Sequence, residues 1–525
     1  MAGFHPPLRP YARLDVLAPT GTEAEALDGT AIETHGVPQP VLMENAGRAA
    51  AMIVQRLRPH GRVVGVVGSG NNGGDALVLL RTLRAWGRDV LALVVADRPS
   101  EDPLLHGWDV SVRTDEGLGA EGWRDLLGEA GVVVDGVLGT GLRGVPRERQ
   151  RAAIAHINAL GRWVLSIDVP SGIDSEIGGV PGSAVRATVT VAFGAPKLGS
   201  LLHPARLLAG RLIAVEIAFP PWNHVDVTAR VVTPSWAQAR LPHRDPDTHK
   251  NAVGRVLVVA GQQGMAGAAV LAARASLSAG AGLVRICSAP ENREIVQTAV
   301  PEAIYVDPGD PQALVAAMDQ CDAVGLGPGL GTDTFGLELA TAVATGPPRP
   351  VVVDADALNL ASQGALDLAL LASTRAVLAT PHAGEMARML GTDVATVQSD
   401  RIAALGRAVD VNGHALLLKG APSLVAAPGG EVHVDCQGSS DLAAAGMGDA
   451  LTGVCASLLA QGLGSTEAGA VGLYLTGRSA LLAGRGPALT PSDMIRCLPD
   501  ALRERSVGVS DLDLPFVLYD ADPAR

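Results

Sequence analysis

Short apolar runs that end in glycine and polar residues alternate with longer segments whose apolar residues recur at helical spacing. In the first half of the chain, helical spacing covers residues 12–35 and 41–57 and returns at 75–86. Continuous apolar runs of this length are typical of buried parallel strands. The sequence predicts such strands over residues 63–67, 90–95, 132–135, 163–168, 188–193 and 212–217, with residues 68–74 as a loop. This alternation indicates an α/β domain with a doubly wound sheet.

The second half repeats this pattern. It predicts strands that end near residues 260, 287, 327, 353, 379 and 418, followed by a hairpin over 424–427 and 431–434. A chain of 525 residues exceeds one compact core, so two domains are expected. Proline-rich and polar segments place the boundary near residues 220–235, and we divide the chain into domains 1–228 and 229–525.

The composition of the chain limits which partners it can bind and which cellular compartment suits it. The chain is 47% hydrophobic and 18% charged, which fits a globular protein, and its net charge of −13 argues against nucleic acid as a partner. The five cysteines are scattered without paired spacing, which favours a reducing compartment and offers no zinc site. The N-terminal stretch has no apolar leader, and no apolar run is long enough to span a bilayer. We therefore expect a cytoplasmic protein without a membrane partner.

Polar residues collect where the first-half strands end. The loop after the first strand reads GSGNNGGD and carries Asn71, Asn72 and Asp75, and later strands lead into Asp135 and into Asp168 with Ser171. Carboxyl ends of parallel strands share one edge of a sheet, so these groups are expected to converge on a ligand site. Oxygen ligands of this kind suit K⁺ or Na⁺ at least as well as Mg²⁺. The structural alternative is a tight turn with buried capping aspartates.

The segment GSSDLAAAGMGDALTGV at residues 438–454 predicts the second site. Glycines before a helix let backbone N–H groups approach a phosphate, and a helix N-terminus favours negative charge. Asp449 in such a place is explained if it takes a proton from a substrate hydroxyl while the backbone holds the phosphate charge. An ordinary glycine-rich turn capped by Asp449 remains the alternative.

Together these motifs resemble a known family. LMENAG, GSGNNGGD, DGVLGTGLRG and SIDVPSGID resemble the epimerase half of the bifunctional NAD(P)H-hydrate repair enzymes. GLGPGLG, DADALN, TPHAGEM, LLKGAPS and AAGMGDALTG resemble the dehydratase half, which is similar to ribokinase-like kinases. The resemblance covers nearly the whole chain and implies a Rossmann-like N-terminal domain and a ribokinase-like C-terminal domain, both α/β and doubly wound.

The resemblance implies a repair reaction on damaged nicotinamide cofactors. Hydration of NADH or NADPH gives the hydrates NADHX and NADPHX, which carry a hydroxyl at C6 of the ring. The first half would interconvert their R and S forms. In the second half, ADP would phosphorylate the hydroxyl of the S form and leave AMP, and loss of phosphate would restore NADH or NADPH. We expect Mg²⁺ with the nucleotide and K⁺ in the epimerase half.

Residue roles follow from the same resemblance. Asp168 and Asp449 would be the two catalytic groups, and Lys197 a phosphate partner. The epimerase pocket would contain Asn71, Asn72, Gly73, Gly74, Asp75, Gly139, Thr140, Gly141, Leu142, Arg143, Gly144 and Val145 with Asp168. K⁺ would be held by Asn72, Asp135 and Ser171. The dehydratase pocket would contain Ala268, Gly329, His382 and Asp449, and the adenine nucleotide would bind Lys419, Gly420, Ala421, Pro422, Ser423 and Gly448.

The sequence departs from the family pattern at a few positions and leaves alternatives open. Ala76 and Ala445 stand where glycine is common, and the segment 438–441 replaces an asparagine-proline-glycine turn, which puts the nucleotide preference in doubt. One alternative is a ribokinase-like small-molecule kinase that prefers ATP and releases ADP. Another is a non-enzymatic N-terminal half that only senses or binds a partner. The sequence shows no interface, so it leaves open whether the protein is a homo-oligomer. It also leaves open whether NADHX or NADPHX is the preferred substrate.

Overall fold

The chain forms two compact units. A computed structural model describes residues 11–99, 102–221, 226–244, 246–247, 249, 253–504, 508 and 510–524. The units divide between Val231 and Val232, but the C-terminal segment with the last strand belongs to the N-terminal unit. The first ten residues, residues 222–225 of the predicted boundary region and residues 250–252 lie outside the described residues.

The strands and helices are numbered along the whole chain. The strands are β1 (Tyr11–Ala12), β2 (Arg62–Val67), β3 (Val90–Val94), β4 (Ser111–Thr114), β5 (Ala130–Gly136), β6 (Val164–Ile167), β7 (Val189–Phe193), β8 (Arg211–Val215), β9 (Ala229–Val232), β10 (Arg255–Val259), β11 (Leu283–Cys287), β12 (Ile304–Val306), β13 (Ala323–Leu326), β14 (Val351–Val353), β15 (Val377–Ala379), β16 (Ala415–Leu418), β17 (Ser423–Ala426), β18 (Val432–Asp435) and β19 (Val517–Ala521). The helices are α1 (Gly21–Glu33), α2 (Gln39–Leu57), α3 (Asn71–Ala85), α4 (Ala120–Gly128), α5 (Glu148–Ala159), α6 (Leu198–Leu201), α7 (Pro234–Gln238), α8 (Ala266–Ser278), α9 (Arg293–Ala299), α10 (Pro311–Asp319), α11 (Thr334–Thr345), α12 (Asp356–Ser362), α13 (Leu368–Ala372), α14 (Ala383–Leu390), α15 (Val394–Ser399), α16 (Arg401–Asn412), α17 (Met447–Ala460), α18 (Ser465–Ala483) and α19 (Pro491–Arg503).

The N-terminal sheet has the strand order β1-β19-β8-β7-β6-β5-β2-β3-β4. Strands β2 to β8 pair in parallel, and the order reverses between β2 and β5. This is a doubly wound sheet, and ligands bind such sheets where the order reverses, outside the carboxyl ends of the strands. The apolar runs of β2 and β3 are buried, as their composition predicts.

The C-terminal sheet has the order β12-β11-β10-β13-β14-β15-β16-β17-β18-β9. Its parallel part runs from β12 to β16 and reverses between β10 and β13. The predicted hairpin is confirmed as the antiparallel pair β17 and β18. Both units are therefore α/β and doubly wound, as predicted from the sequence.

The last strand corrects the predicted domain limits, which assign every residue after 228 to the second domain. Strand β19 pairs antiparallel with β8 and with β1 in the N-terminal sheet. Asp520 is fully buried there and receives hydrogen bonds from the guanidinium of Arg211 at 2.8 and 2.6 Å. The charge pair and the buried side chains of Leu512 and Val517 fix this segment to the first core. A strand so far along the chain gives no local signal of its partner.

The start of α3 is a second correction. The sequence predicts a loop to Gly74 and a helix from Asp75, whereas the helix already begins at Asn71. Its glycines allow this because the helix packs closely against its surroundings: a Cβ on Gly73 would lie 2.1 Å from the carbonyl oxygen of Gly68. The first predicted helix, 12–35, is also longer than the observed α1. Thr20 is the N-cap of α1 and forms a capping box with Glu23, so the helix begins at Gly21.

Among the described residues, the helices include none that combines the length and the apolar character needed to cross a membrane.

Candidate active sites

The N-terminal unit contains a cavity of about 570 Å³ at the carboxyl edge of its sheet, near the point where the strand order reverses. Its size is in the range of small-molecule sites. Its lining includes Asp28, Gln39, Asn71, Asn72, Asp75, Gly139, Thr140, Gly141, Leu142, Asp168 and Lys197. Of the predicted strand-end groups, Asn71, Asn72, Asp75 and Asp168 therefore line one cavity, whereas Asp135 and Ser171 are not part of its lining.

Asp168 follows β6 and forms an ion pair inside the cavity. Its Oδ1 lies 2.5 Å from Nζ of Lys197 and also accepts a hydrogen bond from the backbone N–H of Phe193 at 3.1 Å. Lys197 is only 4% exposed and donates a second bond to the carbonyl of Phe193 at 2.8 Å. Asp168 has a φ of +64°, an uncommon conformation for a non-glycine residue. Lys197 thus contacts the carboxylate predicted for acid–base chemistry, whereas the sequence predicts a phosphate contact for it.

Two further carboxyl groups reach the same cavity. Burial raises the pKa of Asp75 well above its usual range, and the negative charges of Asp168 and Asp28 add to the rise. Desolvation in the cavity raises the pKa of Asp28 to about 6, with Asp168 and Glu25 adding to the rise and Lys197 opposing it. Both groups thus hold protons more strongly than an ordinary aspartate. Sequence reasoning missed Asp28, which lies on α1 outside any recognised motif.

The predicted cation ligands form a buried network next to the cavity. Asp135 is fully buried at the end of β5 and accepts hydrogen bonds from the hydroxyls of Ser166 at 2.8 Å and Ser171 at 2.5 Å. Asn72 donates from its amide nitrogen to the carbonyl of Leu138 at 2.7 Å. The amide oxygen of Asn72 is buried and has no hydrogen-bond partner among the described residues. Burial raises the pKa of Asp135, while its hydrogen bonds from Ser171 and Ser166 oppose the rise.

The other predicted epimerase residues divide into two groups. Gly139, Thr140, Gly141 and Leu142 line the cavity, whereas Arg143, Gly144 and Val145 do not. Arg143 is exposed, and its guanidinium donates to the carbonyl of Thr140 at 2.9 Å. Gly73 and Gly74 lie behind the lining, where they allow α3 to pack against Gly68 and Met43. The structure therefore brings together the first part of this loop and leaves its second part at the surface.

In the C-terminal unit, Asp449 lies in the first turn of α17. The residue before this helix, Gly446, has a φ of +86°, which glycine adopts without strain. Desolvation raises the pKa of Asp449 to about 6, the like charges of Asp354 and Asp356 add to the rise, and Lys419 opposes it. A carboxylate with such a pKa can accept a proton near neutral pH.

Lys419 and Asp354 form the charged centre beside Asp449. Nζ of Lys419 lies 2.7 Å from Oδ1 of Asp354 and 3.9 Å from a carboxylate oxygen of Glu385. Asp354 is 1% exposed and also accepts the hydroxyl of Thr452 at 2.8 Å. Burial tends to lower the pKa of Lys419, but Asp354 and Glu385 outweigh it and raise that pKa. The DADALN motif signals Asp354 in the sequence, although its contact with Lys419 needs the fold.

Three residues predicted for the dehydratase pocket have different placements. Ala268 and Gly329 are neighbours, because a Cβ on Gly329 would lie 3.0 Å from the Cβ of Ala268. His382 precedes α14 and caps it: its Nδ1 accepts the backbone N–H groups of Gly384 at 2.9 Å and Glu385 at 3.1 Å.

The predicted nucleotide loop follows β16. Ser423 closes the loop: its hydroxyl accepts the N–H of Gly420 at 3.2 Å and donates to the carbonyl of the same residue at 3.0 Å. Gly448 is near this loop, since a Cβ there would lie 3.5 Å from Nζ of Lys419. The loop and the start of α17 are thus adjacent, as the predicted nucleotide site requires.

Within the part of the chain that the structure describes, no three His, Cys, Asp or Glu side chains are grouped so that they could hold a metal ion. The ligands predicted for K⁺ are of another kind, since they include amide and hydroxyl oxygens.

Comparison with known proteins covers both units. A family model described as YjeF-related protein N-terminus matches residues 39–199, and one described as NAD(P)H-hydrate dehydratase matches residues 256–499. A protein of Moorella thermoacetica named bifunctional NAD(P)H-hydrate repair enzyme Nnr is 35% identical over 92% of this chain and 96% of its own length. The chain belongs to the family of bifunctional NAD(P)H-hydrate repair enzymes. Its two units correspond to the two halves of a bifunctional enzyme of this family. This assignment takes the place of the two alternatives, a small-molecule kinase and a non-enzymatic N-terminal half.

Two solved structures resemble the C-terminal unit of this repair-enzyme chain. A ribokinase-like superfamily protein from Enterococcus faecalis is 25% identical, with 54% of this chain and 98% of that chain covered and a TM-score of 0.49. An ADP/ATP-dependent NAD(P)H-hydrate dehydratase from Bacillus subtilis, co-crystallised with ATP and Mg²⁺, is 27% identical over 51% of this chain and 96% of its own, with a TM-score of 0.45.

Proposed function

We propose that the N-terminal unit epimerises the R and S hydrates of NADH and NADPH, and that the C-terminal unit dehydrates the S hydrate at the expense of ADP. The products are NADH or NADPH, AMP and phosphate. The observation that carries the proposal is that each unit directs an ionisable carboxyl group into its candidate site: Asp168 in the first and Asp449 in the second. Both sites thus have the acid–base group that their halves of the repair reaction require.

In the epimerase site, Asp168 performs the acid–base chemistry at the hydrated ring. The ammonium of Lys197 holds this carboxylate in one orientation and balances its charge. Asn71, Asn72, Asp75 and the backbone of Gly139–Leu142 bind the rest of the hydrate around it. Asp168 lines this cavity and combines that position with a φ of +64°.

K⁺ is the cation we assign to the epimerase half. The fit rests on the amide oxygen of Asn72, which is buried and lacks a partner, and on Asp135, whose carboxylate has no cationic side chain in contact among the described residues. Asn72, Asp135 and Ser171 would hold the ion, since uncharged oxygens with one carboxylate suit a monovalent hard cation. The ion would neutralise buried negative charge and fix the strand ends around the cavity.

In the dehydratase site, Asp449 takes the proton from the C6 hydroxyl of the S hydrate as that oxygen attacks the terminal phosphate of ADP. Lys419 lies close enough to Asp449 to influence its charge and would offset the charge that develops on the transferred phosphate. The loop Lys419–Ser423 and Gly448 bind the nucleotide, and Ala268, Gly329 and His382 line the hydrate pocket. Mg²⁺ accompanies the nucleotide phosphates, as in other phosphoryl transfers.

The test uses the full chain with a mixture of R and S NADH hydrates, ADP, Mg²⁺ and K⁺. Recovery of both epimers, followed by the absorbance of restored dihydronicotinamide, is the expected result. Asp168→Asn should stop recovery at the S fraction, and Asp449→Asn should abolish recovery of both. If wild-type recovery stops at the S fraction, the epimerase half of the proposal fails. Turnover with ATP and not with ADP would contradict the assigned phosphate donor.

A further inference from the structure

Arg401, the first residue of α16, lies beneath the predicted nucleotide loop and is only 5% exposed. Its guanidinium donates to three backbone carbonyls of that segment: Leu418 at 3.4 Å, Lys419 at 3.3 Å and Pro422 at 3.1 Å. A fourth bond goes to the side-chain oxygen of Gln398 at 3.0 Å. One buried side chain therefore connects both ends of the loop.

The buried guanidinium of Arg401 lacks a counter-ion within the described part of the chain. Among the described residues no carboxylate forms an ion pair with Arg401, and its Nε has no hydrogen-bond partner. Burial lowers the pKa of Arg401 to about 10, so the side chain still carries its charge at neutral pH. Buried charges are normally paired, and an arginine that interacts only with neutral groups leaves its positive potential available to a nearby anion.

The loop backbone lies directly against this charge. A Cβ on Gly420 would lie 2.6 Å from a guanidinium nitrogen of Arg401, and Gly420 has a φ of +151°. The side chain of Lys419 instead reaches Asp354 and approaches Gly448. Backbone carbonyls of this short segment thus accept hydrogen bonds from Arg401, while the side chain of Lys419 points to Asp354 in the candidate site.

We propose that Arg401 is a positioning residue of the nucleotide site, which fixes the Lys419–Ser423 loop by its carbonyls and contributes its uncompensated charge to the binding of the nucleotide phosphates. The inference rests on the proposed function, because it assumes that this loop binds ADP. It assigns to Arg401 no contact with the reacting atoms. An anion of the nucleoside diphosphate class is the ligand that completes the charge balance.

The effect of the Arg401 charge can be separated from the effect of its hydrogen bonds to the loop by comparing two ligands. A role of the charge weakens binding of ADP but leaves binding of the uncharged nucleoside adenosine almost unchanged, since only ADP carries phosphates. A loop that has merely lost its support binds both ligands less well. The comparison of ADP with adenosine in the same variant is therefore the decisive readout.

The experiment measures the dissociation constants of ADP and adenosine by calorimetry on the full chain. Arg401→Met keeps much of the length but removes both the charge and the hydrogen bonds to the loop. We expect ADP binding to weaken about tenfold or more, because the Coulomb attraction to the phosphates is lost together with the support. Adenosine binding loses only the support and should weaken by a clearly smaller factor. KM for ADP should rise by a similar factor, with a smaller change in kcat. Arg407→Met is the matched control, because Arg407 is exposed on the same helix.

Arg401→Lys keeps the charge but cannot bridge three carbonyls, so its ADP affinity should lie between those of the wild type and Arg401→Met. If Arg401→Met does not fold, the comparison of ADP with adenosine is made on Arg401→Lys. Unchanged ADP binding in Arg401→Met, or equal weakening of ADP and adenosine, overturns the proposal. A wild-type chain that neither binds ADP nor uses it to restore NADH from the S hydrate contradicts the proposed function itself, which distinguishes the two failures.

Discussion

At the scale of single residues, the environment of Asp449 determines when it can act as a base. Its pKa is raised to about 6 by desolvation and by Asp354 and Asp356. Only the ionised form accepts a proton, so dehydration of the S hydrate should increase as the pH rises through about 6 and level off above it. The measurement is kcat/KM for the S hydrate between acidic and neutral pH. A profile without an acidic limb would contradict the assigned base.

Asp75 should give the opposite pH dependence in the epimerase site. Its raised pKa favours the protonated form, and the structure shows no hydrogen bond or ion pair of its side chain among the described residues. If that proton assists departure of the C6 hydroxyl, the epimerisation rate falls as the pH rises and Asp75 ionises. Asp75→Asn should lower kcat for the R hydrate by about 10²–10⁴-fold, the usual contribution of general acid–base catalysis.

Two comparisons make the Asp75 experiment specific. Dehydration of the S hydrate by the same variant should be unchanged, since Asp75 lies in the other unit. Asp28→Asn removes one of the negative charges that raise the pKa of Asp75, so the alkaline limb of epimerisation should move to lower pH. An Asp75→Asn chain with the wild-type rate and pH profile would exclude this role.

At the scale of elements, the start of α3 depends on one close contact. A Cβ on Gly73 would lie 2.1 Å from the backbone oxygen of Gly68, whereas a Cβ on the adjacent Gly74 would meet the flexible end of Met43 at 2.7 Å. Backbone cannot move aside as a methionine thioether can. Gly73→Ala should therefore destabilise the N-terminal unit by about 1–3 kcal/mol, the usual cost of overpacking, and Gly74→Ala by less.

Denaturant unfolding of the two alanine variants checks this expectation, with (R)-hydrate epimerisation as a second readout. The pair is matched because both residues are buried in the same turn of the helix. Equal stability of the two variants would show that the contact with Gly68 does not limit the packing of α3.

The same helix shows how far sequence patterns reach. Apolar runs predicted β2, β3 and β5 to β8 because most of their residues are buried, whereas β4, whose four residues are exposed, was missed. The start of α3 was wrong by several residues, since glycines normally indicate a loop and only the packing against Gly68 reveals the helix. Motifs predicted Asp168 at a strand end and Asp449 at a helix start. Asp28 and Arg401 lie on helices without a motif, and only the three-dimensional arrangement places them beside the cavity and beneath the predicted nucleotide loop.

At the scale of the molecule, the two units do not follow each other along the chain, because the C-terminal segment belongs to the N-terminal unit. The C-terminal segment completes the N-terminal sheet: β19 pairs with β8 and β1, and Asp520 receives the guanidinium of Arg211. In the described part of the chain, the C-terminal sheet contains no strand that follows β18 in sequence. The last residues of the chain therefore support the epimerase half, although they follow the dehydratase half in sequence.

A chain that ends at Ser510 tests this arrangement. It loses Leu512, Val517 and the whole of β19, exposes the edge of β8 and leaves Arg211 without Asp520. Epimerisation of the R hydrate should be lost or become heat-labile, because the first core has lost a strand and a buried charge partner. Dehydration of the S hydrate should persist, since its site and sheet lie in the other unit.

The matched control is a chain that ends at Asp522, which keeps β19 and removes only the residues after it. Thermal unfolding followed together with both activities separates the outcomes: the shorter chain should lose stability in the epimerase half alone. If the chain ending at Ser510 epimerises the R hydrate at the wild-type rate and with the wild-type heat resistance, β19 is dispensable. If both activities disappear together, the two units depend on each other for folding, and the C-terminal strand then supports more of the molecule than its own sheet.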